Sequence, residues 1–275
     1  MKVLLIIIII LLVLYLFLTA PRMINRADRT PFMEQKFYAH RGLFDNESDA
    51  PENSLAAFRK AMDAGYGMEM DVQLTKDDRL VVFHDATLER MCSVEGNVWD
   101  YTLEELQQLR LAESKERIPT FEEVLKLVAG RVPLIVEYKL DRPLTKVCEL
   151  ANELLSQYKG DYCIESFHPF ALMWYKKHRP DVLRGQLSGN LKEYAKTPKM
   201  KIFYTLVTYL LTNVLTRPDF IAYDHLYVNN ISRRVCKWLG ALSVTYTVKS
   251  VERYKEVKND FDLFIFDSCI LKNPK

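Results

Sequence analysis

Charged side chains fall repeatedly at the ends of short apolar runs in this sequence. His40 and Arg41 follow residues 37–39, His84 and Asp85 follow 80–83, and Glu137 and Lys139 close the run 133–138. Glu69 and Asp71 lie two apart within 68–74, so an extended backbone points both carboxylates to one face, and Glu137 and Lys139 share that spacing. Unpaired charge inside an apolar fold is costly, so carboxylates and bases placed in this way imply a cluster whose members compensate one another. Glu69, Asp71 and Glu137 offer only oxygen ligands, which suit a hard cation such as Mg2+ or Ca2+ better than zinc. His40 and His84 can act as base and acid near neutrality, while Arg41 and Lys139 can hold an anion that gains charge in the transition state. A cation, a base, an acid and two positive side chains are the parts wanted for cleaving a phosphodiester, whose leaving alkoxide needs a proton.

The elements that must position these groups read as alternating strands and helices. Strand-like runs occupy 37–39, 68–74, 80–83, 133–138, 162–164, 182–187, 220–223, 242–248 and 263–266. Helical patterns lie between them: 54–64 with Asn53 as its cap, 120–128 after Pro119, and the long amphipathic stretch 144–158. This alternation is the signature of a parallel α/β protein, and the length suits a closed eight-fold (TIM) barrel, irregular here. Nine runs compete for eight places, and the polar turn 75–79 is where two could form a local hairpin. An open doubly wound sheet is the alternative, although no glycine-rich phosphate loop follows the first strand. Residues 85–118 read as an insertion carrying a helix over 102–111, capped by Thr102 with Glu105 three positions on. Residues 201–215 are too short an apolar run to cross a bilayer; they suit a helix packed on the barrel or a lipid-facing lip beside the site.

The N-terminus differs from all of this. From Val3 to Leu18 every residue is apolar, and Thr19, Ala20 and Pro21 make a poor cleavage site, so residues 1–20 read as an uncleaved single-span anchor. Residues 21–35 read as linker and 36–275 as the barrel. Arg22, Arg26, Arg29 and Lys36 follow the span, so the positive-inside rule favours a cytoplasmic domain. Over the whole chain 38 basic and 36 acidic residues leave a net charge of +2, which argues against a nucleic-acid partner. Five scattered cysteines form no zinc pattern and suggest no disulfide framework.

Taken in order, AHRG at 39–42, PENS at 51–54, EMDVQLTKD at 69–77, VVFHD at 81–85, VEYK at 136–139 and ESFHP at 165–169 resemble the glycerophosphodiester phosphodiesterase family, from Phe37 to about Asp267. The resemblance implies an irregular TIM barrel with a small insertion after the strand ending at His84. It further implies that His40 and His84 form the acid/base pair, that Glu69, Asp71 and Glu137 bind a divalent cation, and that Arg41 and Lys139 contact phosphate. Glu52 and Asn53 match motif positions expected to organise the site or touch substrate. The implied reaction releases an alcohol and glycerol 3-phosphate from a glycerophosphodiester, or lysophosphatidate from a lysophospholipid. The C-terminal third departs from the family pattern: Tyr246, Thr247, Val248 and Lys249 stand for W-T-V-N, and Phe266, Asp267 and Ser268 for the T-D-x-P turn. Tyr246 keeps an aromatic wall for a glycerol or headgroup, Lys249 adds a charge, and substrate identity stays open. Two other readings remain: a cyclising phospholipase, whose metal-independent versions the intact carboxylate triad counts against, and a non-catalytic lipid-binding scaffold, which would not need all five histidine and carboxylate groups.

Overall fold

A computed structural model describes residues 1–140 and 145–271. Each β-rich run becomes a strand: β1 Phe37–Ala39, β2 Gly67–Leu74, β3 Leu80–Val82, β4 Leu134–Tyr138, β5 Tyr162–Ser166, β6 Arg184–Ser188, β7 Phe220–Asp224, β8 Leu242–Val248 and β9 Leu263–Phe266. β1, β2 and β4 to β9 pair in parallel, and β1 joins both β9 and β2, which closes an eight-stranded barrel. The surplus strand is β3. It folds back antiparallel on β2 across the turn 75–79, with Val72 opposite Val82.

Alternation along the strands sorts their side chains between two cores. Phe37, Met68, Met70, Val136 and Ile164 join the layer beneath the helices, whereas Tyr38, Ile135, Cys163, Leu183, Phe220 and Val244 form a second cluster that plugs the barrel interior. The apolar plug leaves the polar, inward-facing residues to the carboxyl ends of the strands.

The helices are α1 Lys2–Thr19, α2 Thr30–Gln35, α3 Leu55–Asp63, α4 Glu89–Cys92, α5 Leu103–Leu106, α6 Phe121–Val128, α7 Lys146–Leu155, α8 Pro169–His178, α9 Pro198–Thr208, α10 Asn213–Thr216, α11 Ile231–Trp238 and α12 Val251–Val257. α6 shows why they form: Phe121, Val124, Leu125 and Val128 are buried at helical spacing, and Thr120 and Glu123 make a reciprocal capping box. The cap of α3 is Ser54 rather than Asn53, since the Ser54 hydroxyl accepts the Ala57 N–H at 3.0 Å. Asn53 takes a left-handed conformation (φ 57°) and spends its amide elsewhere. The start expected for α7 at residue 144 lies outside the described residues.

Three stretches differ from their sequence pattern. Residues 85–118 do form a separate unit with its own core of Leu88, Met91, Val98, Leu106 and Leu111. Its expected helix 102–111 stops at Leu106, because burying Leu106 and Leu111 together requires the chain to turn between them. The apolar stretch 201–215 is split into α9 and α10 at Leu210, which is buried with φ 56°. The stretch 21–35 contains α2, and its arginines are tied to the barrel: Arg22 donates to the Pro180 carbonyl, Arg26 to Leu239 and Arg29 to Gly240.

Candidate active site

The carboxyl ends of β1, β2, β4, β5, β6, β8 and β9 surround a cavity of about 200 Å³ that His40, Arg41, Glu69, His84, Glu137 and Lys139 help to line. Strand register explains the convergence. Asp71 stands opposite Glu137, and Glu137 opposite Glu165, so three acidic residues share one layer across β2, β4 and β5, with Glu69 one layer below. Candidate ligand atoms of Glu69, Asp71 and Glu137 lie within 4.8 Å of one another. Three buried, oxygen-only side chains at that separation fit a hard divalent cation. Burial pushes the Glu69 carboxyl up, and Asp71 and Glu137 push it further. Burial also opposes ionisation of Asp71, but Lys139, His84 and Arg41 outweigh it and hold that carboxyl low.

Each cation and base has a defined anchor. The Lys139 ammonium bridges Glu137 at 2.6 Å and Asp71 at 2.9 Å. Arg41 is left-handed (φ 55°), a conformation costing a non-glycine residue about 1 kcal/mol or more. Its N–H donates to Glu69 and its carbonyl accepts the Asn53 N–H, which fixes that turn. The guanidinium donates to Glu52 at 2.6 Å and approaches Asp71 at 3.5 Å. Gly42 has φ 83°, and a Cβ there would meet the Ala57 carbonyl carbon at 2.8 Å, so this glycine lets the loop lie on α3.

The histidines are oriented through Nδ1. His40 meets Asp267 at 2.8 Å and His84 meets Asp85 at 2.6 Å, which leaves each Nε2 for the cavity. Burial lowers the His40 pKa, and the bond to Asp267 only partly restores it. Arg90, from the insertion, grips Asp85 through Nε at 2.6 Å and Glu52 through both terminal nitrogens at 2.6 and 2.8 Å, so one side chain braces the partners of His84 and Arg41.

Residues 40–255 match the Glycerophosphoryl diester phosphodiesterase family. The chain belongs to this family. A glycerophosphodiester phosphodiesterase of Caldanaerobacter subterraneus is 37% identical over 56% of this chain and 67% of its own length, and one of Bacillus altitudinis is 35% identical over 54% and 64%. A lysophospholipase D of Mus musculus is 30% identical over 54% of this chain and 49% of its own length. The fold is shared with an Oleispira antarctica phosphodiesterase solved with the product sn-glycerol-3-phosphate, at TM-score 0.67 and 23% identity over 85% of this chain and 92% of that one. The family's activity is phosphoric diester hydrolysis, so the chain is an enzyme of the glycerophosphodiester phosphodiesterase type.

The structure therefore brings His40, Arg41, Glu69, His84, Glu137, Lys139 and Tyr246 to one cavity wall. Asn53, expected on sequence to organise the site or touch substrate, is buried behind Asp71 and donates its amide to that carboxylate at 2.8 Å. Tyr246 keeps its aromatic wall, edge-on to Phe167, with its hydroxyl donated to the Ser188 carbonyl at 2.7 Å. Sequence reasoning assigned no role to Glu165, Arg90, Asp85 or Asp267. For Asp85, Glu165 and Asp267 the signal was available: each sits at or just past the end of an apolar run.

Proposed function

We propose that this protein is a membrane-anchored, divalent-cation-dependent glycerophosphodiesterase in which His40 and His84 exchange protons with water and the leaving alcohol. The observation that carries this reading is the meeting of both oriented imidazoles, the Glu69, Asp71 and Glu137 cluster, and the Arg41 and Lys139 cations around one small cavity. Glu69, Asp71 and Glu137 would hold a cation such as Mg2+ or Ca2+, which would supply Lewis-acid stabilisation of the phosphoryl oxygens. His40, kept neutral by burial, takes a proton from the attacking water. As the phosphorus–oxygen bond to the alcohol breaks, His84 delivers a proton to the departing alkoxide, with Asp85 steadying the imidazolium. Arg41 and Lys139 offset the charge that builds on the phosphate. Products are glycerol 3-phosphate and an alcohol.

A specific observation also favours a lysophospholipid, which would yield lysophosphatidate. A cavity of about 340 Å³ adjoins the site through Glu137, Lys139 and Phe167, and Leu140, Leu191, Phe203 and Val207 give it apolar walls. Membrane attachment is supported by α1, 18 residues with mean hydropathy 3.0 and almost no burial. Hydrogen bonds between Tyr15 and Ser232, and from Asn213 to the Thr19 carbonyl, join its C-terminal end to the barrel, which supports a helix kept with the domain. We read the domain as cytoplasmic, because Arg22, Arg26, Arg29 and Lys36 follow the span.

The test is release of glycerol 3-phosphate from glycerophosphocholine, and of lysophosphatidate from lysophosphatidylcholine, by the purified full chain. EDTA should abolish both and added Mg2+, Ca2+ or Mn2+ restore them. His40→Ala and His84→Ala should each lower the rate by about 10²–10⁴ with unchanged thermal unfolding. Full activity in the doubly substituted chain, or in EDTA, refutes the mechanism.

A further inference from the structure

The direction of α1 and the distribution of exposed apolar side chains together decide which face of the barrel meets the membrane. Helices of a parallel barrel return from the carboxyl ends of the strands to their amino ends, so α11 begins at the catalytic rim with Ile231 and ends at the floor with Trp238. The Tyr15 hydroxyl bonds that of Ser232 at 2.8 Å, and the Thr19 carbonyl accepts from Cys236 at 3.2 Å. Four residues along α1 thus match four along α11, in the same direction. The Arg22 N–H then donates to Pro218, just before β7 at the floor. Followed backwards, α1 rises beside α11 and continues past the catalytic rim, where residues 3–14 are solvent-exposed. This projecting part is about 20 Å long, short of the roughly 30 Å hydrocarbon core, so burying it draws the rim itself against the interface.

The rim is built for that contact on one side. Among the described residues, its exposed large apolar side chains come from the loops after β5 to β9, including Phe170, Tyr194, Ile202, Leu206, Leu226 and Ile231; none comes from the loops after β1 to β4. α1 rises beside β7, in the middle of the apolar half. α9 lies across the strand ends, held there by Ser188 donating to the Val207 carbonyl and Tyr223 to Thr208. It turns Phe203 and Val207 toward the 340 Å³ cavity while Ile202, 66% exposed, and Leu206 face outward. Lys196, Lys199 and Lys201 are exposed on the same segment, where anionic headgroups would meet them.

We propose that the β5 to β9 half of the catalytic rim docks on the bilayer with α9 in the interface, so that the active site draws a single-chain phospholipid directly from the membrane, its acyl chain in the cavity beneath α9. This rests on the phosphodiesterase reading above and adds the membrane-facing mouth. An exposed apolar patch and a same-sided apolar helix share one occupant, the lipid surface.

The experiment uses the full chain in proteoliposomes of phosphatidylcholine with a minor fraction of phosphatidylserine. Ile202→Glu with Leu206→Glu should reduce hydrolysis of vesicle-borne oleoyl-lysophosphatidylcholine at least tenfold and leave hydrolysis of water-soluble glycerophosphocholine unchanged. Trp238→Glu, at a still more exposed apolar position on the floor, should change neither. Equal loss on both substrates, an unchanged vesicle rate, or the same loss with Trp238→Glu overturns the proposal. A readout independent of turnover is lysine acetylation by a water-soluble reagent. Lys196, Lys199 and Lys201 should be protected when the protein moves from detergent to vesicles, and Lys159 on the floor should not. Equal labelling overturns the docking even if the enzyme is active. Failure to cleave glycerophosphocholine with the lysines protected refutes the reaction alone.

Discussion

Replacing Glu52 by glutamine tests the brace beneath the site. Glu52 is buried and accepts from Arg41 at 2.6 Å, from Arg90 at 2.6 and 2.8 Å, and from Asn46 at 3.0 Å. Burial alone would raise its carboxyl, but Arg90, Arg41 and Asn46 hold it at about 2 against an ordinary 4.5. At about 1.4 kcal/mol per pH unit, that difference favours the native state by about 3 kcal/mol. A depressed carboxylate contributes its stability fully above the unfolded value, near pH 4.5, and loses it as pH falls toward 2. Thermal unfolding followed by near-ultraviolet circular dichroism, in a neutral detergent with EDTA present throughout so that metal loss plays no part, measures it. Glu52→Gln should lower the midpoint at pH 7 by about 6–12 °C, taking roughly 2–4 °C per kcal/mol for a domain of this size. The gap should shrink by roughly half by about pH 3, because the unfolded chain takes up a proton on Glu52 there while the native carboxyl stays ionised. A gap independent of pH would mean that packing rather than charge holds Glu52, and no gap at pH 7 would refute the brace.

Asp267→Asn should lower kcat by about 10²-fold with little change in KM, since Asp267 orients His40 from behind; a matching rise in KM would show substrate contact instead. Glu165 is buried with Oε2 unpartnered, and burial, then Glu137, push its carboxyl well up. In the chelated protein Glu165→Gln should therefore leave the unfolding midpoint unchanged or raise it; a loss above about 1 kcal/mol would show an ionised carboxylate there. Ser54→Ala should cost about 1 kcal/mol of stability through the lost α3 cap, read as a fall of the thermal midpoint of about 2–4 °C; Asn53 acting as the cap would leave it unchanged.

What could be read in the sequence was whatever depends on periodicity. The strands appear as short apolar runs, the shared face of Glu69 and Asp71 follows from a two-residue repeat, and the β2–β3 hairpin follows from a polar turn too tight for a crossover. What stayed hidden depends on contacts between distant segments. Asn53 and Ser54 are both good caps locally; only Asp71, on another strand, decides which is free to serve. Residues 201–215 carry enough apolar length for one helix, and the break at Leu210 comes from the need to bury that side chain against the barrel. Residues 21–35 read as linker, yet Arg22, Arg26 and Arg29 satisfy carbonyls at the barrel floor that lie far away in sequence.

The same distinction explains how the two histidines are set. His84 is held locally: Asp85 is its neighbour in sequence, and Arg90 stands five residues further on, in α4. His40 is held by closure of the barrel. Its N–H donates to the Phe266 carbonyl at 2.9 Å and its Nδ1 meets Asp267, both at the end of the last strand, so β1 must pair with β9 before this imidazole has an orientation. Glu69, reached by the Arg41 N–H at 3.0 Å, makes the second link, across the β1–β2 seam. The HRG segment therefore lies where the barrel closes on both sides. A chain whose last strand has not docked can present His84 in place but not His40, which couples assembly of the catalytic pair to completion of the fold.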